Sequence, residues 1–270
     1  MCENLWLKQL PNHFIFRLLH YCHIALQLRD ELAGKATPQR RHSYYQSQPF
    51  ALWLTHLLLT YAADMLVNVL LGALPLEPLS NAPDVLLCSI CWYLIFYSPY
   101  DMVHALARTL GFRLLAAPVN AINQLLVIDR GIYEAGRVYG QHAILPILVV
   151  GTILGSGAEL LKPVAALLIN RCQQSSAAFV KLSTNSKLSL LVCCLQLLQH
   201  HRNSLLLGLS AAQLQRCLLY LLLGHKCLLL LRRYRWEHFI WLWEQRLCYA
   251  CFGGLYVDLI NFFQAKHKCL

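Results

Sequence analysis

Asp64, Glu159 and Arg216 each stand inside an apolar run, at 50–74, 143–169 and 204–231. An ionisable side chain at the centre of a membrane span costs at least ~2.5–3.5 kcal/mol, so it has to face protein or water. A single such residue can be a paired side chain holding two helices together. Three on separate runs point instead to a polar path for ions. Small residues sit beside two of them. Gly151, Gly155, Ser156 and Gly157 precede Glu159, and Ala62 and Ala63 precede Asp64. Glycine lets helices approach closely and lets a helix bend or open its backbone toward a cavity. These positions are therefore expected to shape a pore or to break its helices.

The elements that would position these residues are membrane spans. Of the 270 residues 57% are hydrophobic and 13% charged, and the mean hydropathy is +0.46. Soluble domains carry roughly 25% charged residues. Apolar windows of the kind that cross a bilayer fall at 50–74, 85–98, 112–128, 143–169, 188–199 and 204–231. A seventh, 13–28, is interrupted by Arg17, His20 and His23. The fold class expected is an all-α membrane protein of seven transmembrane helices. Residues 1–231 form the spanning domain, and 232–270 form a cytoplasmic interfacial tail, rich in Trp and Arg around 236–246.

A rhythm of three spans recurs, at about 12–110 and again at about 111–200, with 204–231 as a last helix. An odd number of crossings inverts the second copy relative to the first. The second and fifth spans are then equivalent, and Ala62, Ala63 and Asp64 would face the 155–159 cluster. Lys and Arg collect on one side of this topology, while the other receives Lys8, Arg130, Arg137 and Arg202. Cytoplasmic loops are enriched in basic residues, so the N-terminus is expected to be luminal and the C-terminus cytoplasmic. The net charge of +10 is thus a topology signal with attraction to anionic lipid, and gives no reason to invoke nucleic acid.

Other chemistries find little support. Cys88 with Cys91 and Cys248 with Cys251 have CxxC spacing, but they lie in apolar stretches where cysteine packs as a small hydrophobe, so no metal is expected. His200 and His201 are adjacent rather than at helical ligand spacing. No nucleophile, base and orienting group fall together, so the protein is not expected to be an enzyme. Lys266 and Lys268 stand five and three residues from the C-terminal end in KHKCL. That spacing matches the dilysine signal read by coat proteins for retrieval to the endoplasmic reticulum.

From about Pro49 to Arg216 the sequence resembles the trimeric intracellular cation channels of sarcoplasmic and endoplasmic reticulum. The resemblance is carried by LSNAPDVLLCSICWYLIFYSPYD (79–101), FRLLAAPVN (112–120), GIYEAGRVY (131–139) and GTILGSGAELL (151–161). It implies a homotrimer of seven-span subunits, each with its own pore and two inverted three-helix repeats, passing K+ as counter-ion during Ca2+ release and uptake. It also implies helices bent at glycine clusters, with 155–157 as the fifth-helix element. The family's second-helix glycines read Ala62, Ala63 and Asp64 here, its arginine before the fifth-helix glycines is Leu154, and its last-helix basic residue is Arg216. The Lys and Arg that hold a phosphoinositide in the fourth helix fall on Asn120 and Gln124, without charge. Two alternatives stay open beside the channel. One is a non-conducting or accessory channel-like subunit, and the other a secondary transporter built from inverted repeats.

Overall fold

A computed structural model of the chain describes residues 9–33, 48–160, 183–202 and 210–231. Its helices belong to a compact unit, Met1–Cys227; a second unit, Leu228–Leu270, contributes only the last turn of the final helix to the described residues. Every described element is helical: α1 Phe14–Ala33, α2 Pro49–Leu71, α3 Ala82–Tyr97, α4 Met102–Ala107, α5 Leu110–Tyr139, α6 Ile144–Leu160, α7 Thr184–Arg202 and α8 Ala211–Leu231. The tail 232–270 with Lys266 and Lys268, and the ends 161–169 and 204–209 of two apolar windows, lie outside the described residues.

Local signals explain the boundaries. Pro49 and Pro83 sit in the first turns of α2 and α3, where a missing N–H costs nothing. Gly72 ends α2 at φ 73°, a left-handed conformation that suits glycine. Thr109 caps α5 by accepting from the Phe112 N–H at 3.4 Å. Arg130, Glu134 and Arg137 do not stop α5, which runs on to Tyr139, well past the 112–128 window. Thirty residues make a helix of about 45 Å, longer than a hydrocarbon core of about 30 Å. α2 and α5 are each long and apolar enough to cross a bilayer alone.

The helices form two triplets, α1–α3 and α5–α7, followed by α8. Each triplet has its own apolar centre. Ile24, Leu28, Leu52 and Ile95 join α1, α2 and α3. Leu125, Ile128, Val150 and Val192 join α5, α6 and α7, and Leu218 and Leu222 of α8 close over them. The middle helices α2 and α6 pack across each other where Ala63 meets Gly157.

A sharp bend follows α3. Ala82–Tyr97 and Pro99–Ala107 meet at 90° across Ser98, and Tyr100 and Asp101 just beyond it take φ 55°. Proline at 99 and left-handed backbone at two non-glycine residues make this turn costly. Arg29 holds it. Its guanidinium donates to the Ile95 carbonyl at the end of α3, pairs with Asp101 at 2.8 Å and lies over the Phe96 ring at 5.8 Å. Arg29 is only 5% exposed. Arg29→Leu should therefore lower stability by about 2–3 kcal/mol, read as a fall in melting temperature of the detergent-purified protein. Asp101→Asn should cost much less, because the Asp101 side chain is 57% exposed.

Candidate ion pathway

A polar cavity of about 370 Å³ lies among the helices of the compact unit. α1 lines it with Arg17, His20, His23 and Gln27, a spacing that keeps all four on one helix face over about 15 Å. α5 contributes Asn120, Asn123, Gln124 and Arg130 over a similar length. Asp64 of α2, Asp84 of α3, Glu159 of α6, Asn185 of α7 and Lys226 of α8 complete the polar wall.

Its charges are balanced rather than acidic. Arg130 is paired with Asp64, and Arg17 with Asp84. The first pair ties the second span of one triplet to the first of the other, and the second pair ties α1 to α3. Glu159 accepts a hydrogen bond from the Ser183 hydroxyl. Lys226 donates to Asn185 Oδ1 at 3.0 Å, and the Gln124 amide donates to the same oxygen at 3.2 Å. Neutral amides stand among these charges. The Asn120 amide donates to the Ala116 carbonyl at 2.9 Å and offers Oδ1 to His20 at 3.0 Å. Gln124 donates to Ser189 at 2.7 Å, leaving its buried Oε1 without a hydrogen-bond partner.

The sequence-derived candidates divide accordingly. Ala63, Asp64, Gly155, Ser156, Gly157 and Glu159 line the cavity, as do Asn120 and Gln124. Ala62 does not, and neither does Gly151, which is buried where a Cβ would meet Cys193 Sγ at 2.6 Å and Ile132 at 3.4 Å. Its role is close packing of α6 on α7 and α5. The glycines do not break a helix either: α6 runs through Gly151, Gly155 and Gly157 without interruption, and α2 through Ala62, Ala63 and Asp64. Their small size brings helices together while the backbone hydrogen bonds persist. A Cβ on Gly157 would lie 2.0 Å from Ala63 Cβ, and one on Gly155 2.5 Å from Ile128 Cγ1.

Arg216 stands on the exposed face of α8, with its Nε at 3.4 Å from the Ala212 carbonyl of its own helix, and does not reach the cavity. Lys226, ten residues along the same helix, is the α8 cation that does. The polar face of α1 is the spacing of Arg17, His20 and His23 that interrupts the 13–28 window. The negative charge of Asp64 is balanced by Arg130, which a window ending at 128 leaves in a loop.

The TRIC channel family profile matches residues 39–233. Trimeric intracellular cation channel type 1B.2 of Caenorhabditis elegans is 29% identical over 196 residues, 73% of this chain and 61% of the relative. Type B of Danio rerio is 28% identical over 185 residues, 68% of this chain and 61% of the relative. Type 1B.1 of C. elegans is 27% identical over 161 residues, 60% and 52%. The matches thus span between 52% and 61% of these relatives' lengths. A solved trimeric intracellular cation channel from C. elegans, in the absence of Ca2+, superposes with a TM-score of 0.71 at 26% identity, covering 83% of this chain and 92% of that one. A TRIC counter-ion channel studied for its activity in calcium release has a TM-score of 0.74 at 24% identity, over 85% and 98%, a likeness of fold alone. These relatives are ion channels of the membrane. With a profile match over most of its length and the same helical architecture, this chain belongs to the TRIC channel family.

Proposed function

We propose that the chain is a subunit of a homotrimeric cation channel of the endoplasmic or sarcoplasmic reticulum membrane, each subunit passing K+ through its central cavity as counter-ion to Ca2+ movement. The observation that carries this reading is the cavity itself, whose wall sets the carboxylates of Asp64, Asp84 and Glu159 against Arg17, Arg130 and Lys226 among the amides of α5. Carboxylates and amide oxygens replace the hydration shell of a monovalent cation, and balanced charge keeps the ion from binding too tightly to leave. The distribution of Lys and Arg supports a luminal N-terminus and a cytoplasmic C-terminus. Recording from the purified chain in planar bilayers under a KCl gradient tests the proposal. A reversal potential near that of K+ is expected, and a silent or Cl−-selective protein would count against it.

The ion pairs favour a second reading, a subunit held closed or a non-conducting accessory subunit, because Asp64 and Asp84 are both engaged by arginine. Flux that saturates and requires the gradient of a second solute would instead mark a secondary transporter.

Asn120 and Gln124 are neutral and already committed to hydrogen bonds inside the bundle, so they offer no charge to a phosphoinositide headgroup. Trimers are accordingly expected to persist after delipidation in detergent, as read by light scattering. Collapse to monomers, reversed by adding phosphoinositide, would relocate the lipid site to other basic residues, Arg113 and Arg130 first.

A further inference from the structure

His20 lines the cavity one turn from Arg17 on α1 and beside the amides of α5. Its two ring nitrogens face partners of opposite kind. Nδ1 lies 3.0 Å from Asn120 Oδ1, an acceptor, because the Asn120 amide nitrogen is already spent on the Ala116 carbonyl. Nε2 lies 3.5 Å from Asn123 Nδ2, a donor. Only a neutral ring satisfies both, donating through Nδ1 and accepting through Nε2. We infer that His20 sets cation passage through the cavity by remaining an uncharged bridge between α1 and α5, so that protonating it closes the path to K+.

Two effects follow from adding the proton at Nε2. The ring becomes a second donor facing the Asn123 N–H, and that contact is lost unless the amide turns over. A full positive charge is also added to a wall whose other charges are balanced. The groups facing His20 do not neutralise it. On its own helix Arg17 is engaged by Asp84 of α3, and His23 lies 2.9 Å from Gln27. Asp64 of α2 is engaged by Arg130 of α5, while His56 of α2 is buried against Cys88 at 3.2 Å. Glu159 of α6 holds Ser183, and Lys226 of α8 adds positive charge of its own. His104 of α4 is not among the residues lining the cavity. An imidazole is the side chain whose ordinary titration falls closest to neutral pH.

This inference rests on the cavity being the ion path, and its test separates the two. The full chain is recorded in planar bilayers with equal KCl on both sides, at about pH 8 and about pH 4.5, the second well below the ordinary imidazole range. Wild-type K+ current should fall about tenfold on acidification, the effect of one uncompensated charge beside the ion. His20→Gln should remove the pH dependence, giving a ratio of currents near one whatever their size, while His23→Gln should retain the fall. The same fall in His20→Gln as in wild type overturns the inference. A wild-type chain that carries no K+ current at either pH overturns the conduction reading instead. The bridge is then decided by melting of the detergent-purified proteins, where acidification should destabilise wild type more than His20→Gln, and equal shifts overturn it.

Discussion

Asp64→Asn should reduce the preference for K+ over Cl− by about tenfold, because it strips Arg130 of its counter-charge inside the cavity and leaves a net positive wall. Such a factor corresponds to ~1.4 kcal/mol, near the aqueous end of the range for two charges a few ångströms apart. The ion pair also dictates the sign of the companion experiments. Arg130→Gln frees Asp64 and should raise cation preference. The double variant Asp64→Asn/Arg130→Gln restores the balance and should return close to wild type. Glu159→Gln should shift selectivity in the same direction as Asp64→Asn, and keeps an oxygen that can accept from the Ser183 hydroxyl. Reversal potentials under a KCl gradient read all four. Unchanged potentials in both Asp64→Asn and Glu159→Gln would remove these carboxylates from the ion path.

The second large effect concerns packing. Gly157→Ala places a methyl carbon 2.0 Å from Ala63 Cβ, and neither atom can rotate away, so α2 and α6 must separate. Overpacking of this kind costs about 1–3 kcal/mol. For a domain of this size that is a fall of roughly 3–10 °C in melting temperature. Ala63→Gly in the same chain removes the opposing methyl and should recover most of the loss. Gly155→Ala should cost less, because two of the three atoms its Cβ would meet lie beyond Cβ in the Ile128 side chain and can shift by torsion, as Ala63 Cβ cannot. Equal losses at the two glycines, or no recovery in the paired variant, would contradict the close approach of α2 and α6.

How far the sequence could be read follows from what each signal reports. Runs of apolar residues marked the helices because burial in lipid or protein demands them along the whole span. The inverted rhythm set Ala62, Ala63 and Asp64 opposite 155–159, and Ala63 does pack on Gly157. Direction around a helix was harder. In α8 leucines follow one another from 218 to 223 with only Tyr220 between them, so periodicity gives Arg216 no side, and only the packing of Leu214, Leu218 and Leu222 turns it away from the cavity. An apolar window that ends at 128 leaves Arg130 in a loop, although a helix propagates through arginine and glutamate readily. Arg17, His20 and His23 likewise interrupt the apolar pattern of α1 without interrupting the helix. Glycine was legible as a need for small volume but not as to purpose, since close packing and helix breaking place the same residue in the sequence.

The central claim is that the cavity between α1 and α5 is where ions cross. Asn123 lines it, while Leu145, near the start of α6, is 71% exposed on the outer surface of the chain. The direct measurement is current through Asn123→Cys in planar bilayers before and after a positively charged, water-soluble methanethiosulfonate reagent, with wild type and Leu145→Cys treated alike. Loss of most of the K+ current in Asn123→Cys, with the other two unaffected, is the predicted result. Current through Asn123→Cys that survives complete modification, verified by mass, would show that ions take another route.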